Sequence, residues 1–109
     1  MTSQTDLATQ SISALASAVK SGELSPVTLT EHMLERAERL NPTLKAFNTI
    51  TAELALDHAR AAEAEIQQGN YRGALHGIPV GLKDLLYTKG VRTTVSSKIH
   101  ENWIPDCNA

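Results

Sequence analysis

Aromatic side chains make up only 4% of this 109-residue sequence, so any core has to rest on Leu, Ile, Val and many alanines. Cysteine occurs once, as Cys107. A single thiol makes no intrachain disulfide, which favours a reducing, cytoplasmic setting over secretion, and Cys107 reads as an incidental thiol. Net charge is slight, −2 from ten basic and twelve acidic residues. That balance argues against a general nucleic-acid or membrane-surface binder. No unbroken apolar run approaches the ~20 residues a membrane helix needs. The opening Met-Thr-Ser-Gln-Thr-Asp lacks the basic start and apolar stretch of a signal peptide.

What is present is helical scaffold followed by a glycine-rich stretch. Residues 1–12 read as a flexible leader and 13–109 as the body of one incomplete domain. Ser13 stands where an N-cap would, ahead of Leu15 and Val19, with Gly22 at the usual C′ position. Ser25-Pro26 is a stronger start: a hydroxyl N-cap followed by proline at the first helical position. From there Leu29, Met33, Ala37, Leu40 and Leu44 recur at helical spacing, the stripe of a helix with one buried face. Asn41-Pro42 is expected to end it, because a residue before proline resists the helical region. His32 has no partner four residues on and is not read as a metal ligand. A third helix is expected from about residue 52 to 68, capped by Thr51. Its inner stripe is Ala55, Ala59, Ala62 and Ile66, and Gly69 stops it. Asp57, His58 and Arg60 lie on this helix as solvated groups.

Three segments are expected to be strands: residues 46–50, with Phe47 and Ile50 as apolar positions, then 78–82, and 91–95. Pro79 confines the second to a strand's first residue or an edge. Ser96 or Ser97 can cap a last helical turn. The sequence closes on Trp103-Ile104-Pro105-Asp106-Cys107-Asn108-Ala109 and reads as cut short.

One lysine stands out. Lys83 follows a glycine-punctuated apolar run and precedes an acidic residue, in Gly73-Ala-Leu-His-Gly77-Ile-Pro-Val-Gly81-Leu-Lys83-Asp84. A phosphate-binding loop is excluded on three counts. Three residues separate Gly77 from Gly81 where four are needed, Leu82 intervenes before the lysine, and Asp84 replaces the magnesium-binding hydroxyl. The apolar approach instead suggests a lysine entering a low-dielectric region. Burial there favours the neutral amine and makes Lys83 a candidate general base.

That stretch, followed by Thr88-Lys-Gly90-Val-Arg-Thr93-Thr94 and Ser97, resembles the amidase signature family. The family pattern is close to G-P-L-x-G-I-P-[VI]-x-[LI]-K-D, then a short loop, then G-x-x-T-T-x-G-S. Ser21-Gly-Glu-Leu-Ser25 and Asn41-Pro-Thr-Leu-Lys-Ala-Phe47-Asn resemble the family's N-terminal helices and first strand. The likeness runs from about Ser13 to Ala109. Ala74 replaces a frequent proline, Gly81 a common alanine, and Ser96 stands where the pattern has glycine.

The resemblance implies an α/β fold: the N-terminal helices and first strands of an α/β/α mixed-sheet domain, here truncated. It implies an amide-bond hydrolase working through a Ser–cis-Ser–Lys triad, with no cofactor and no metal. Lys83 matches the triad lysine, and Asp84, Gly77 and Gly81 are expected to support its loop. The two serines and the oxyanion loop lie downstream in the family. Ser96 and Ser97 lack that glycine/serine-rich context, so the 109 residues alone are expected to be inactive. The substrate implied is a small-molecule amide. A homodimer or amidotransferase partner subunits are the assemblies the family offers. The glutamine-hydrolysing component of a Glu-tRNA(Gln)/Asp-tRNA(Asn) amidotransferase shares the signature and stays open, as does a non-catalytic remnant or interaction module.

Overall fold

The computed structural model describes residues 7–109, and the first six residues of the expected leader lie outside that range. Among the described residues, three helices and a short 3₁₀ turn are the elements that position the rest. Helix α1 spans Ile12–Ser21. Its N-cap is Ser11, whose hydroxyl accepts from the Ala14 N–H at 3.1 Å, and not Ser13 as expected. Starting two residues earlier adds half a turn ahead of Leu15 and Val19, both buried. Gly22, at φ 85°, ends the helix in the left-handed region that glycine tolerates best.

Helix α2 spans Pro26–Leu44. The Ser25 hydroxyl accepts from the N–H groups of Val27 and Thr28 at 3.1 and 3.4 Å and donates to the Glu63 carboxylate. One serine therefore caps α2 and ties it to the next helix. Pro42 does not end the helix; it sits within the last turn. Proline lacks the N–H that would bond the Glu38 carbonyl and its ring crowds that carbonyl, yet the helix runs on to Leu44. The stop comes at Lys45, in the left-handed region at φ 50°, whose N–H bonds the Asn41 carbonyl at 2.7 Å. Helix α3 spans Ala52–Gln67 and packs along α2. Ala59 and Ala62 are buried, as their stripe requires. Thr51 occupies the N-cap position without a side-chain cap bond. The end is a Schellman turn: Gly69 has φ 85°, its N–H bonds the Ile66 carbonyl, and the Asn70 N–H bonds the Glu65 carbonyl.

The core is small. Leu7, Leu15, Val19 and Leu29 are buried together, with Leu24, Met33, Ile66 and Ile78 packed against them. Leu7 joins this cluster although the sequence placed it in the leader, because it is the last large apolar side chain before α1 and has a buried face to meet. The stripe of α2 fades away from this end, and Leu44 is exposed.

The expected α/β architecture is not what forms. Among the described residues there is no strand, and each of the three expected strands has one or more of its backbone groups bonded elsewhere. In 46–50, the Asn41 side-chain amide takes both polar groups of Phe47, accepting from its N–H at 2.8 Å and donating to its carbonyl at 3.0 Å. In 78–82, the Ile78 N–H turns back to the Leu75 carbonyl and Pro79 has none to give. In 91–95, the Val91 N–H bonds Thr88, the Thr94 N–H bonds a carboxylate, and only Thr93 reaches a distant carbonyl, that of Trp103. A strand needs a partner ladder, and these segments have turns and side chains in its place. The radius of gyration is 15.2 Å, against about 13 Å for a compact domain of this length.

Candidate functional site

The segment carrying Lys83 is anchored at one end and open at the other. Gly77 turns it over the start of α2 at φ 84°. A Cβ there would lie 2.9 Å from Cγ of Pro26 and 3.1 Å from its Cβ, so glycine is required by both conformation and space. Ile78 follows into the core. Beyond it the chain emerges: Val80 is 68% and Leu82 57% exposed. Gly81 passes beside the Phe47 ring, where an added Cβ would make an ordinary 3.5 Å contact. Alanine, the residue common at that point of the family pattern, fits this space.

Lys83 is exposed, which differs from the low-dielectric setting its apolar approach suggested. Among the described residues nothing covers Val80 and Leu82, so nothing removes water from the lysine that follows them. Its ammonium has no hydrogen-bond or ion-pair partner there. Its main chain, by contrast, is held. The Lys83 carbonyl accepts from the N–H groups of Leu85 and Leu86 at 2.7 and 3.0 Å, closing a tight turn around Asp84.

Asp84 is the most connected side chain of the region. Its carboxylate accepts from the Asn48 side-chain amide at 2.7 Å, from the Thr94 N–H at 2.8 Å and from the Thr94 hydroxyl. These donors, the Thr94 hydroxyl foremost and then Asn48, hold the carboxyl down from 3.8 to about 2, because each bonds the ionised form. Thr94 is buried at 6% exposure. Its hydroxyl also accepts from the Ser96 N–H at 3.2 Å, and its carbonyl from the Ser97 N–H at 2.9 Å. The two residues after it, Val95 and Ser96, have φ of 53° and 55°, a region unfavourable to a β-branched side chain. Ser96 thus adopts the conformation that explains glycine at its place in the family pattern. The Ser97 hydroxyl caps the turn Lys98–His100 by accepting from the Ile99 N–H. Asn48, Arg92, Thr94, Ser96, Ser97, Lys98 and Glu101 line a shallow polar cleft of about 320 Å³.

The structure brings Lys83, Asp84 and Gly81 together and sets Gly77 at the far end of the same segment, against α2. Sequence reasoning missed Asn48 and Thr94 as partners of Asp84. Thr94 lay within the quoted T-T element, and Asn48 beside Phe47, but nothing in one dimension joined them. It also missed His76, which is buried. Its Nδ1 accepts from the Arg72 N–H at 3.0 Å, and its Nε2 lies 3.6 Å from Glu65 without a hydrogen bond. Among the described residues no group of three or more His, Cys, Asp or Glu side chains could hold a metal ion, and no helix is long and apolar enough to cross a membrane.

A family model described as Amidase matches residues 28–109, which includes the whole Lys83–Thr94 arrangement. This chain belongs to the amidase family. Among curated proteins, the amidase-family chain is 48% identical over 105 residues to the glutamyl-tRNA(Gln) amidotransferase A-subunit of Dehalococcoides mccartyi strain CBDB1, covering 96% of this chain and 21% of that one. A protein of the same name from Nostoc punctiforme is 51% identical over 83 residues, covering 76% and 17%. "Putative amidase AmiD" of Mycobacterium tuberculosis H37Rv is 40% identical over 95 residues, covering 87% and 20%. The chain therefore spans about a fifth of the length of the curated relatives it matches.

Proposed function

We propose that Lys83 is the base of a Ser–cis-Ser–Lys triad in an amide-bond hydrolase, with both serines and the oxyanion loop supplied by the remainder of a full-length protein. The observation that carries this reading is the Lys83–Asp84 turn. A cationic side chain without a partner among the described residues projects from a main chain held by its own turn and by three donors on the next carboxylate, inside the segment that matches the family.

In that reading the neutral amine of Lys83 accepts a proton, through the bridging serine, from the serine that attacks the amide carbonyl. Backbone N–H groups stabilise the oxyanion. The neutral amine requires desolvation, and apolar surface laid over Val80 and Leu82 would supply it. Ser96 and Ser97 do not replace the missing nucleophile, since the Ser97 hydroxyl caps a helical turn and Ser96 sits in a strained loop. Asp84, Gly77 and Gly81 shape the lysine segment without touching substrate.

A second reading is favoured by the names of the relatives: the glutamine-hydrolysing component of a Glu-tRNA(Gln) amidotransferase, cytoplasmic and assembled with partner subunits. The first reading takes a free small-molecule amide, with no cofactor. Lys83→Ala in the full-length protein is expected to lower kcat on simple amides or glutamine by at least about a thousandfold. The 109 residues alone are expected to give no turnover. Full activity in Lys83→Ala would remove the lysine from the mechanism. Ammonia release from glutamine that rises when two partner subunits co-purify selects the amidotransferase reading, and activity on simple amides without them selects the other.

A further inference from the structure

We propose that Thr94 and Asn48 are positioning residues for Lys83, acting through the Asp84 carboxylate. The inference rests on the reading of Lys83 as the base and concerns how its direction is set. Asn48 lies 36 residues before Asp84 and Thr94 ten residues after it. Both nonetheless donate to one carboxylate. The loop after α2, the lysine turn and the 94–97 loop are thereby fastened at a single point.

The fastening bears directly on Lys83. Asp84 is its neighbour in the chain and the centre of the turn closed by the Lys83 carbonyl. With Asp84's side chain held by Thr94 and Asn48 and its main chain enclosed by that turn, the Cα–Cβ direction of Lys83 has little freedom. An ionised carboxylate offers acceptor sites only and bonds neutral donors more strongly than a neutral acceptor does, which suits three donors at one side chain. The strain next to Thr94 points the same way. Val95 and Ser96 stay at positive φ only while their surroundings over-determine them. What determines them is Thr94, bonded to Asp84 on one side and to Ser96 and Ser97 on the other.

A lysine that hands protons through a serine is sensitive to small displacements, since about 1 Å of misplacement can cost a hundredfold in rate. Thr94→Val deletes the hydroxyl but keeps the shape and the N–H. In the full-length protein, assayed on a simple amide or glutamine, it is expected to lower kcat at least about tenfold, with KM within about twofold. Thr94→Ser, which restores the hydroxyl, is expected to recover most of that loss. Asn48→Ala is expected to act in the same direction. Asn48→Asp should act more strongly, because it sets a like charge beside Asp84.

Two results would overturn the proposal. In one, Lys83→Ala abolishes turnover while Thr94→Val and Asn48→Ala keep wild-type kcat; the base reading then stands and the positioning falls. In the other, Thr94→Val and Thr94→Ser lose activity alike and in proportion to a lost folded fraction in a thermal melt, the mark of a purely structural role. Wild-type turnover in Lys83→Ala overturns both readings at once.

Discussion

Asp84 keeps its charge because three donors bond the ionised form, not because a cation sits beside it. That origin fixes a pH dependence. The carboxyl lies near 3.8 when free and near 2 when held by Thr94 and Asn48. A depressed value stabilises the fold above the free pKa, and the contribution is lost as pH falls through the held one. Wild type and Asp84→Asn of the full-length protein are therefore expected to differ most in Tm at pH 5–6. The two should converge as pH falls from about 4 to about 2, where a protonated aspartic acid resembles asparagine. Thermal melts across that range check it; a gap independent of pH would mean that charge is not what Thr94 and Asn48 hold. Gly77 and Gly81 show the same dependence on particular contacts. Both punctuate the lysine motif, yet only Gly77 meets a neighbouring side chain under 3 Å and at positive φ.

Among the elements, helices were legible and strands were not. The start of α2 could be read from Ser25-Pro26 because a cap satisfies N–H groups two and three residues away, a local matter. Its end differs from the one expected at Asn41-Pro42: the helix carries the proline in its last turn and stops two residues on, where Lys45 turns left-handed. Ser25 also donates to Glu63 on α3, which no local rule contains. Ser25→Ala is accordingly expected to cost about 1–2 kcal/mol, at the upper end for a lost N-cap, seen as a lower denaturant midpoint at unchanged slope. The expected strands at 46–50, 78–82 and 91–95 have suitable residues. A strand, however, exists only through a neighbour's N–H and C=O groups, and those of Phe47, Ile78 and Thr94 are taken by Asn41, Leu75 and Asp84.

For the whole molecule, the balance of surface decides behaviour. Val80, Leu82, Leu85, Leu86, Ile99 and Ile104 are all exposed, Ile99 at 89%, while the buried cluster holds four large side chains. So small a core offsets little of the chain's conformational entropy, and exposed apolar groups favour association. The isolated 109 residues are expected to bind 1-anilinonaphthalene-8-sulfonate strongly and to melt without a sharp transition, the signature of loose packing. The full-length protein should do neither. A single cooperative melt of the isolated chain, without dye binding, would show that this segment is a domain in its own right.

By itself the sequence determined what depends on near neighbours: three helices with their apolar faces, and a lysine motif specific enough to resemble one family. Tertiary structure decided what depends on residues brought together from afar. It placed Asn48 and Thr94 on Asp84, enlisted Leu7 in the core, left Lys83 open to water, and used the backbone groups of the expected strands for turns and side-chain bonds. The physical reason is the same in each case. A helix satisfies its own hydrogen bonds within four residues, whereas a strand, a buried polar cluster and a desolvated lysine exist only through groups that other parts of the chain supply.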